Sequence, residues 1–335
     1  MSSLLYKRLG SVKEKHQPGN AKNASVRGSR SHFSKNLSHS AAMNRHLLPT
    51  LSSHLAGLEV GDTVPVRVMG VLNVSPESFY QGSVHDNPAR LVEAARAMVN
   101  AGAHIIDIGA MSTAPYLKTL ISEEEETARL SWAVSVVAAQ VSVPVSADTK
   151  RASAARSALN CGARIINDVS GLKHDPAMAP LIAASAVGAI LMANEPVPRS
   201  GPPLERTLRA LQESVEIATH GGIAHSQIVL DPGIGFFRQP GLPWDEWDCL
   251  VLRELAQLRQ LGFPVLAGAS RKSFIGKILD QPNPTDRLIG SVTCAAIAVY
   301  NGAHIIRAHD VKETVEAVRM AERLRPLFPV LPSTG

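Results

Sequence analysis

Cysteine is scarce. Only Cys161, Cys249 and Cys294 occur in 335 residues, far apart. That excludes a disulfide framework and a cysteine zinc cluster, and it fits a reducing compartment. Residues 1–58 nearly lack acid: Glu14 stands against nine Lys/Arg, a charge of +8. The remainder holds 25 Lys/Arg against 28 Asp/Glu, or −3, so the basic pI of about 9.2 belongs to the tail. A folded part at −3 gives no case for a nucleic-acid partner. No apolar stretch follows the first basic residues, as a secretory signal would require. Membrane-length runs are also missing. The uncharged segments Leu130–Ala147, Pro176–Asn194 and Leu288–His304 are broken by Pro144, Gly188 and Gly302. Each reads as a buried helix, a turn and a buried strand, with no membrane partner.

What is present divides at residue 60. Residues 1–60 lack an apolar period and read as a disordered basic extension: a loose tail, or an organellar import segment. The expected location is the cytoplasm, with import as the alternative. Residues 61–330 are expected to form one domain. Eight short apolar runs end in polar residues and alternate with helical stretches: Arg67–Val74, Ile105–Gly109, Pro144–Thr149, Ile165–Ser170, Ala189–Asn194, Ile228–Gly233, Pro264–Ser270 and Ile305–Asp310. Runs apolar on both faces are strands of a parallel sheet. Gly-Ala-x-Ile-Ile recurs at Gly102, Gly162 and Gly302, reading as one helix-to-strand joint used three times. Asp310 with Glu313 reads as a capping box opening the last helix. An open doubly-wound sheet is the rival, but G-x-G-x-x-G does not follow the first run. The expected fold is a (β/α)8 TIM barrel.

In such barrels the chemistry sits where strands end. Here those ends carry Asn73, Asp107, Asp148, Asn167 with Asp168, Asn194, Asp231, Ser270-Arg271-Lys272, and Arg307 with His309 and Asp310. Capping explains one or two of these, not eight. Arg271, Lys272, Arg307 and a protonated His309 suit a phosphate-like anion. Asp148, Asn167 and Asp231 suit a heterocycle bearing N–H, amino and keto groups, with a metal cluster or an acid/base pair as alternatives. His-rich zinc clusters are absent. His104, His174, His220 and His225 read as structural or surface residues.

At these residues the chain resembles dihydropteroate synthase. The segments that carry the likeness are VMGVLNVSPESF from Val68, GAHIIDIGAMSTAP from Gly102, PVSADT from Pro144, GARIINDVSGL from Gly162, LDPGIGF from Leu230, ASRKSFIG from Ala269 and IIRAHDV from Ile305. The resemblance implies a TIM-barrel transferase of folate biosynthesis. It would join 6-hydroxymethyl-7,8-dihydropterin diphosphate to 4-aminobenzoate and release pyrophosphate. It further implies that Asp148, Asn167, Asp231 and Lys272 hold the pterin, and that Asn73 ligates Mg²⁺ on the pyrophosphate. Arg307 and His309 would hold the anion, with Thr113 beside the pyrophosphate and Ser273 beside the arylamine. Asp231, Lys272, Arg307 and His309 would carry the catalysis. A homodimer is implied too; the uncharged helix Leu288–Tyr300 reads either as a partner face or as a helix buried against the barrel.

Two loops depart from the family pattern. Where it reads T-P-D-S-F-S-D-G, this chain has Ser75-Pro76-Glu77-Ser78-Phe79-Tyr80-Gln81-Gly82. Where it reads G-E-S-T-R-P-G, this chain has Ala110-Met111-Ser112-Thr113-Ala114-Pro115-Tyr116. The alternatives are therefore a pterin-binding homologue with a different arylamine, or a non-catalytic pterin-binding protein.

Overall fold

The computed structural model describes residues 49–74, 87–110, 121–237 and 242–325. The eight expected runs all form strands: β3 (Arg67–Asn73), β4 (Ile105–Gly109), β5 (Val145–Asp148), β6 (Ile165–Asp168), β7 (Gly188–Met192), β8 (Ile228–Asp231), β9 (Leu266–Ala267) and β10 (Ile305–Ala308). They pair in parallel in the order β8-β7-β6-β5-β4-β3-β10-β9. A parallel bridge between Leu230 and Val265 joins the two ends, and the sheet is a closed barrel. Around it run α1 (Pro88–Asn100), α2 (Glu123–Ala138), α3 (Ala152–Asn160), α4 (Met178–Ser185), α5 (Pro203–His220), α6 (Trp244–Arg253), α7 (Ser273–Ile278), α8 (Leu288–Tyr300) and α9 (Val311–Leu324).

The repeated joint has one geometry. Gly102, Gly162 and Gly302 take φ of +103°, +113° and +96°. The alanine after each donates its N–H back into the helix, Ala103 to Met98, Ala163 to Ala158 and Ala303 to Ala298, at 2.9–3.0 Å. These are Schellman closures, in which a left-handed residue lets the helix satisfy its last carbonyls. Gly222 (φ +84°) makes a fourth, with Ile223 N–H bonded to Ala218 O, without the Gly-Ala-x-Ile-Ile signature.

Two uncharged segments resolve as helix, turn and strand, α2 and β5, α4 and β7; the third is the helix α8, which exposes Ile289, Ile297 and Tyr300, and its strand β10 starts just beyond it at Ile305. Among the described residues no helix is long and apolar enough to cross a membrane.

The expected boundary at residue 60 is corrected. Residues 52–61 are a β-hairpin, β1 (Ser52–Leu55) and β2 (Leu58–Gly61), turning through Ala56 and Gly57. Both turn residues have positive φ, +53° and +83°, the signature of a type I′ turn. The hairpin is ordered because it seals the barrel. Leu55 and Val60 are fully buried against Met69, Ile105, Ile165, Ile190, Val229, Leu266 and Ile305, which fill the barrel interior. Burying two such side chains contributes roughly 3–6 kcal/mol. Polar contacts add direction: Ser53 Oγ donates to Ile228 O, and Arg259 grips both oxygens of Asp62 at 2.6 and 2.9 Å.

Candidate active site

Side chains on a strand repeat every two residues, so the inward set continues two positions beyond the apolar layer. Ile105, Ile165, Val229 and Ile305 are followed on that face by Asp107, Asn167, Asp231 and Arg307. Met69 and Leu266 are followed by Val71 and Gly268, which fill less space. The barrel thus changes from apolar to ionic within one layer. Asp148, at the end of β5, pairs with Asn167 across the β5–β6 register.

Asp107 is the node of this layer and is wholly buried. Its Oδ2 accepts from Asn167 Nδ2 at 3.1 Å and from Arg307 Nε at 2.7 Å. A carboxylate only accepts here, so Asn167 must present its NH2 group to Asp107. Arg307 also donates from Nη2 to Asp148 Oδ2 at 2.8 Å. Burial works against the Arg307 charge, but Asp107 and Asp148 outweigh it and hold the guanidinium protonated. Three buried oxygens, Asp107 Oδ1, Asp148 Oδ1 and Asn167 Oδ1, have no partner among the described residues. Buried acceptors are normally satisfied, and three together suit a ligand edge rich in N–H donors.

The titration of the site follows from burial. Asp148 is pushed up to about 7, by burial first and then by Asp107 and Glu126, with Arg307 opposing. Asp231 is raised by burial, partly offset by the Gly233 N–H that its Oδ1 accepts at 2.8 Å. Lys272 is pulled down to about 8 by burial and by Arg307. Its Nζ stands 4.2 Å from the centre of the Phe236 ring, a cation–π contact.

Two expectations about the anion end are corrected. Burial, Arg307 and Arg271 pull His309 down to about 3, so it is a neutral imidazole rather than a cation. Ser270 Oγ accepts from His309 N–H at 3.2 Å and lies 3.0 Å from His309 Nδ1. Asp310 does not cap α9 through its side chain, because its carboxylate is held by Arg271. Arg271 sits at φ +57°, and its N–H donates to Ser291 Oγ at 2.8 Å.

Asn73 ends β3 half-buried, beside Gly109 in the register. Ser273 opens α7 directly after Lys272. Thr113 lies outside the described residues, as do the departing loops except Ala110. Asp168 and Asn194 do not join the constellation. Asp168 accepts from Ser170 and Leu172 N–H, a local turn, and Asn194 reaches Val169 O. Of the four histidines read as structural or surface residues, His104 Nδ1 accepts from Val68 N–H, His225 stacks on Phe263 at 4.0 Å, and His174 and His220 are exposed.

Two buried acids escaped the sequence. Glu126 on α2 accepts from Thr149 Oγ1 and Arg151 behind Asp148, and Asp248 on α6 accepts from Gly235 N–H at 2.7 Å. Each sits among charged neighbours in an exposed-looking helix sequence, so nothing local signalled its burial. Among the described residues no group of three or more His, Cys, Asp or Glu could hold a metal.

Comparison with known proteins agrees with this geometry. The family described as pterin binding enzyme matches residues 69–309. Dihydropteroate synthase of Synechocystis is 38% identical over 264 residues, covering 77% of this chain and 89% of its own. That of Bacillus subtilis is 39% identical over 257 residues, covering 77% and 88%. The Xanthomonas albilineans dihydropteroate synthase solved with 4-aminobenzoic acid superposes at a TM-score of 0.73, with 33% identity, over 83% of this chain and 98% of that one. The same enzyme in complex with 7,8-dihydropteroate gives 0.72 at 32% identity, over 82% and 98%. Sequence, barrel and buried acceptor layer converge, and this chain belongs to the pterin binding enzyme family.

Proposed function

We infer that the chain is a transferase that carries out the dihydropteroate synthase reaction in folate biosynthesis. 6-Hydroxymethyl-7,8-dihydropterin diphosphate and 4-aminobenzoate give dihydropteroate and pyrophosphate. The observation that carries the reading is the row of acceptors Asp107 Oδ1, Asp148 Oδ1 and Asn167 Oδ1, unpaired among the described residues, above a sealed apolar floor. A pterin edge offers the N–H and amino donors that such a row needs.

In this reading Asp148, Asn167 and Asp231 hold the ring, and Lys272 covers it from the Phe236 side. The 4-aminobenzoate nitrogen bonds to the pterin methylene carbon as the carbon–oxygen bond to the diphosphate breaks. The nitrogen gives up one proton to solvent. Asp231 stabilises the positive charge that the ring shares with its methylene carbon. Arg307 and the neutral His309 face the departing anion, with Thr113 beside it and Ser273 beside the arylamine. No protein nucleophile is needed.

Asn73 offers one neutral oxygen at the strand end, and this fits Mg²⁺, which takes few protein ligands alongside substrate phosphates and water. When bound there, the ion would neutralise charge on the diphosphate.

The departures at Ser75–Gly82 and Ala110–Tyr116 favour a second reading, a different arylamine on the same pterin seat. One assay separates the two. Pyrophosphate release that requires 4-aminobenzoate, and is lost in Asp231→Asn, supports the first reading. Pterin binding without release, restored by another arylamine, supports the second. Neither binding nor release overturns both.

We also propose a homodimer through α8. Ile289 is 74% exposed there, and Ile297 and Tyr300 are exposed on the same helix. Light scattering of Ile289→Glu against the unaltered protein tests it, and monomers in both would refute it. A cytoplasmic location is proposed as well, tested by fractionation.

A further inference from the structure

Asp248 is a fully buried acid that the reaction as drawn does not use. It reaches from α6 into the loop after β8, and its Oδ1 accepts the Gly235 N–H at 2.7 Å. Gly235 stands at φ +85°, and a Cβ there would lie 2.8 Å from Lys272 Cδ. The next residue, Phe236, supplies the ring 4.2 Å from Lys272 Nζ. The other end of the loop is tied by Asp231, which accepts from Gly233 N–H. Two buried carboxylates thus fix one short turn, and that turn carries the surface on which the lysine lies.

We propose that Asp248 is a positioning residue for Lys272: its hydrogen bond sets the Gly235–Phe236 turn beneath the lysine, and its buried carboxylate, behind that turn, is one of the charges that act on the ammonium. The proposal rests on the reading of Lys272 as a pterin contact. Among the described residues, the charges that act most on Lys272 are Arg307 from β10, Asp231 from β8, Asp248 from α6 and Asp148 from β5. Arg307 disfavours the ammonium, and the three acids favour it. Asp248 differs from Asp148 and Asp231 in sitting behind the turn, outside the acceptor layer that faces the mouth.

The test compares the unaltered protein with Asp248→Asn, which retains an acceptor oxygen and loses the charge, and Asp248→Ala, which loses both. Removing a negative charge lowers the Lys272 pKa. The basic limb of dihydropterin diphosphate binding, read by calorimetry against pH, is expected to move down by about one pH unit in Asp248→Asn. At pH 8 the affinity falls several-fold, and at pH 7 most of it returns. Asp248→Ala is expected to lose affinity at every pH. In a Lys272→Gln background, Asp248→Asn is expected to change nothing further.

A superimposable pH profile in Asp248→Asn overturns the proposal. So does an undiminished effect in the Lys272→Gln background, which would mark Asp248 as a structural group. Thermal unfolding guards against simple misfolding. If the unaltered protein binds no pterin, the functional reading is what fails. The Asp248–Lys272 coupling is then read directly, from the ¹³Cε titration of Lys272 assigned with Lys272→Arg: a shift in Asp248→Asn sustains it, and none refutes it.

Discussion

His304 Nε2 lies 3.2 Å from Asp62 Oδ1, joining the last barrel strand to the residue that follows the N-terminal hairpin. Its other nitrogen is committed, because Nδ1 accepts the Val265 N–H at 3.0 Å. His304 must therefore stay neutral and donate from Nε2, and burial lowers its pKa in that direction. Burial raises the pKa of Asp62, but hydrogen bonds from His304, Arg259 and Leu51 N–H outweigh it and hold the acid well below its usual range.

Asp62→Ala is expected to destabilise the chain by about 3–5 kcal/mol, since it leaves Arg259 buried without its carboxylate. The pH dependence has a definite sign. A depressed carboxylate pKa gives stability that is present above the unfolded pKa and lost as pH falls through the folded one. Denaturant melts from pH 7 downward should show a steeper acid loss in the unaltered chain than in Asp62→Ala. Parallel curves would refute this.

Pterin affinity should be confined between two titrations. Binding through ionised Asp148 strengthens as pH rises through about 7, where its proton leaves. Binding beside charged Lys272 weakens as pH rises through about 8. Calorimetry should show a narrow maximum between these values. A flat profile from pH 6 to 9 would show that neither group changes charge in the complex.

Glu126→Gln should move only the acid limb of that profile. Glu126 raises the Asp148 pKa, so neutralising it lets Asp148 ionise at lower pH. The limb should shift downward. Stability should also fall by about 1–3 kcal/mol, because Arg151 loses its charged partner at 2.5 Å.

Gly235→Ala combines strain and collision. Its φ of +85° disfavours any side chain, and the new Cβ would meet the Lys272 stem at 2.8 Å. Pterin affinity is expected to fall about tenfold or more, with a stability loss of about 1–2 kcal/mol. Wild-type affinity in this variant would mean that the lysine moves aside freely.

The barrel and half of its site were legible because both obey short periods. Eight apolar runs ending in polar residues placed Asp107, Asp148, Asn167, Asp231 and Arg307 on one rim, and two-residue alternation stacks four of them above the apolar layer. The hairpin Ser52–Gly61 was not legible: its strands are four residues long, and their apolar content matters only against a barrel floor assembled elsewhere. Asp310 with Glu313 carried a sound local capping signal, but Arg271 claims the carboxylate from across the fold. His309 could be placed but not its charge, which depends on burial, on Arg307 of its own strand and on Arg271 brought beside it from the end of β9. Glu126 and Asp248 stand in acidic helical stretches, where local sequence gives no measure of burial.

The packed interior makes the barrel a cup rather than a tube. Seven side chains, Met69, Ile105, Ile165, Ile190, Val229, Leu266 and Ile305, fill it below the acceptor layer, with Leu55 and Val60 beneath them, so a ligand of that layer comes and goes by one rim. A cup fills from the bottom. In the proposed reading the pterin lies deepest, so it arrives before anything that rests above it and leaves last. Initial-rate kinetics should show the arylamine adding second, with its analogues uncompetitive against the pterin.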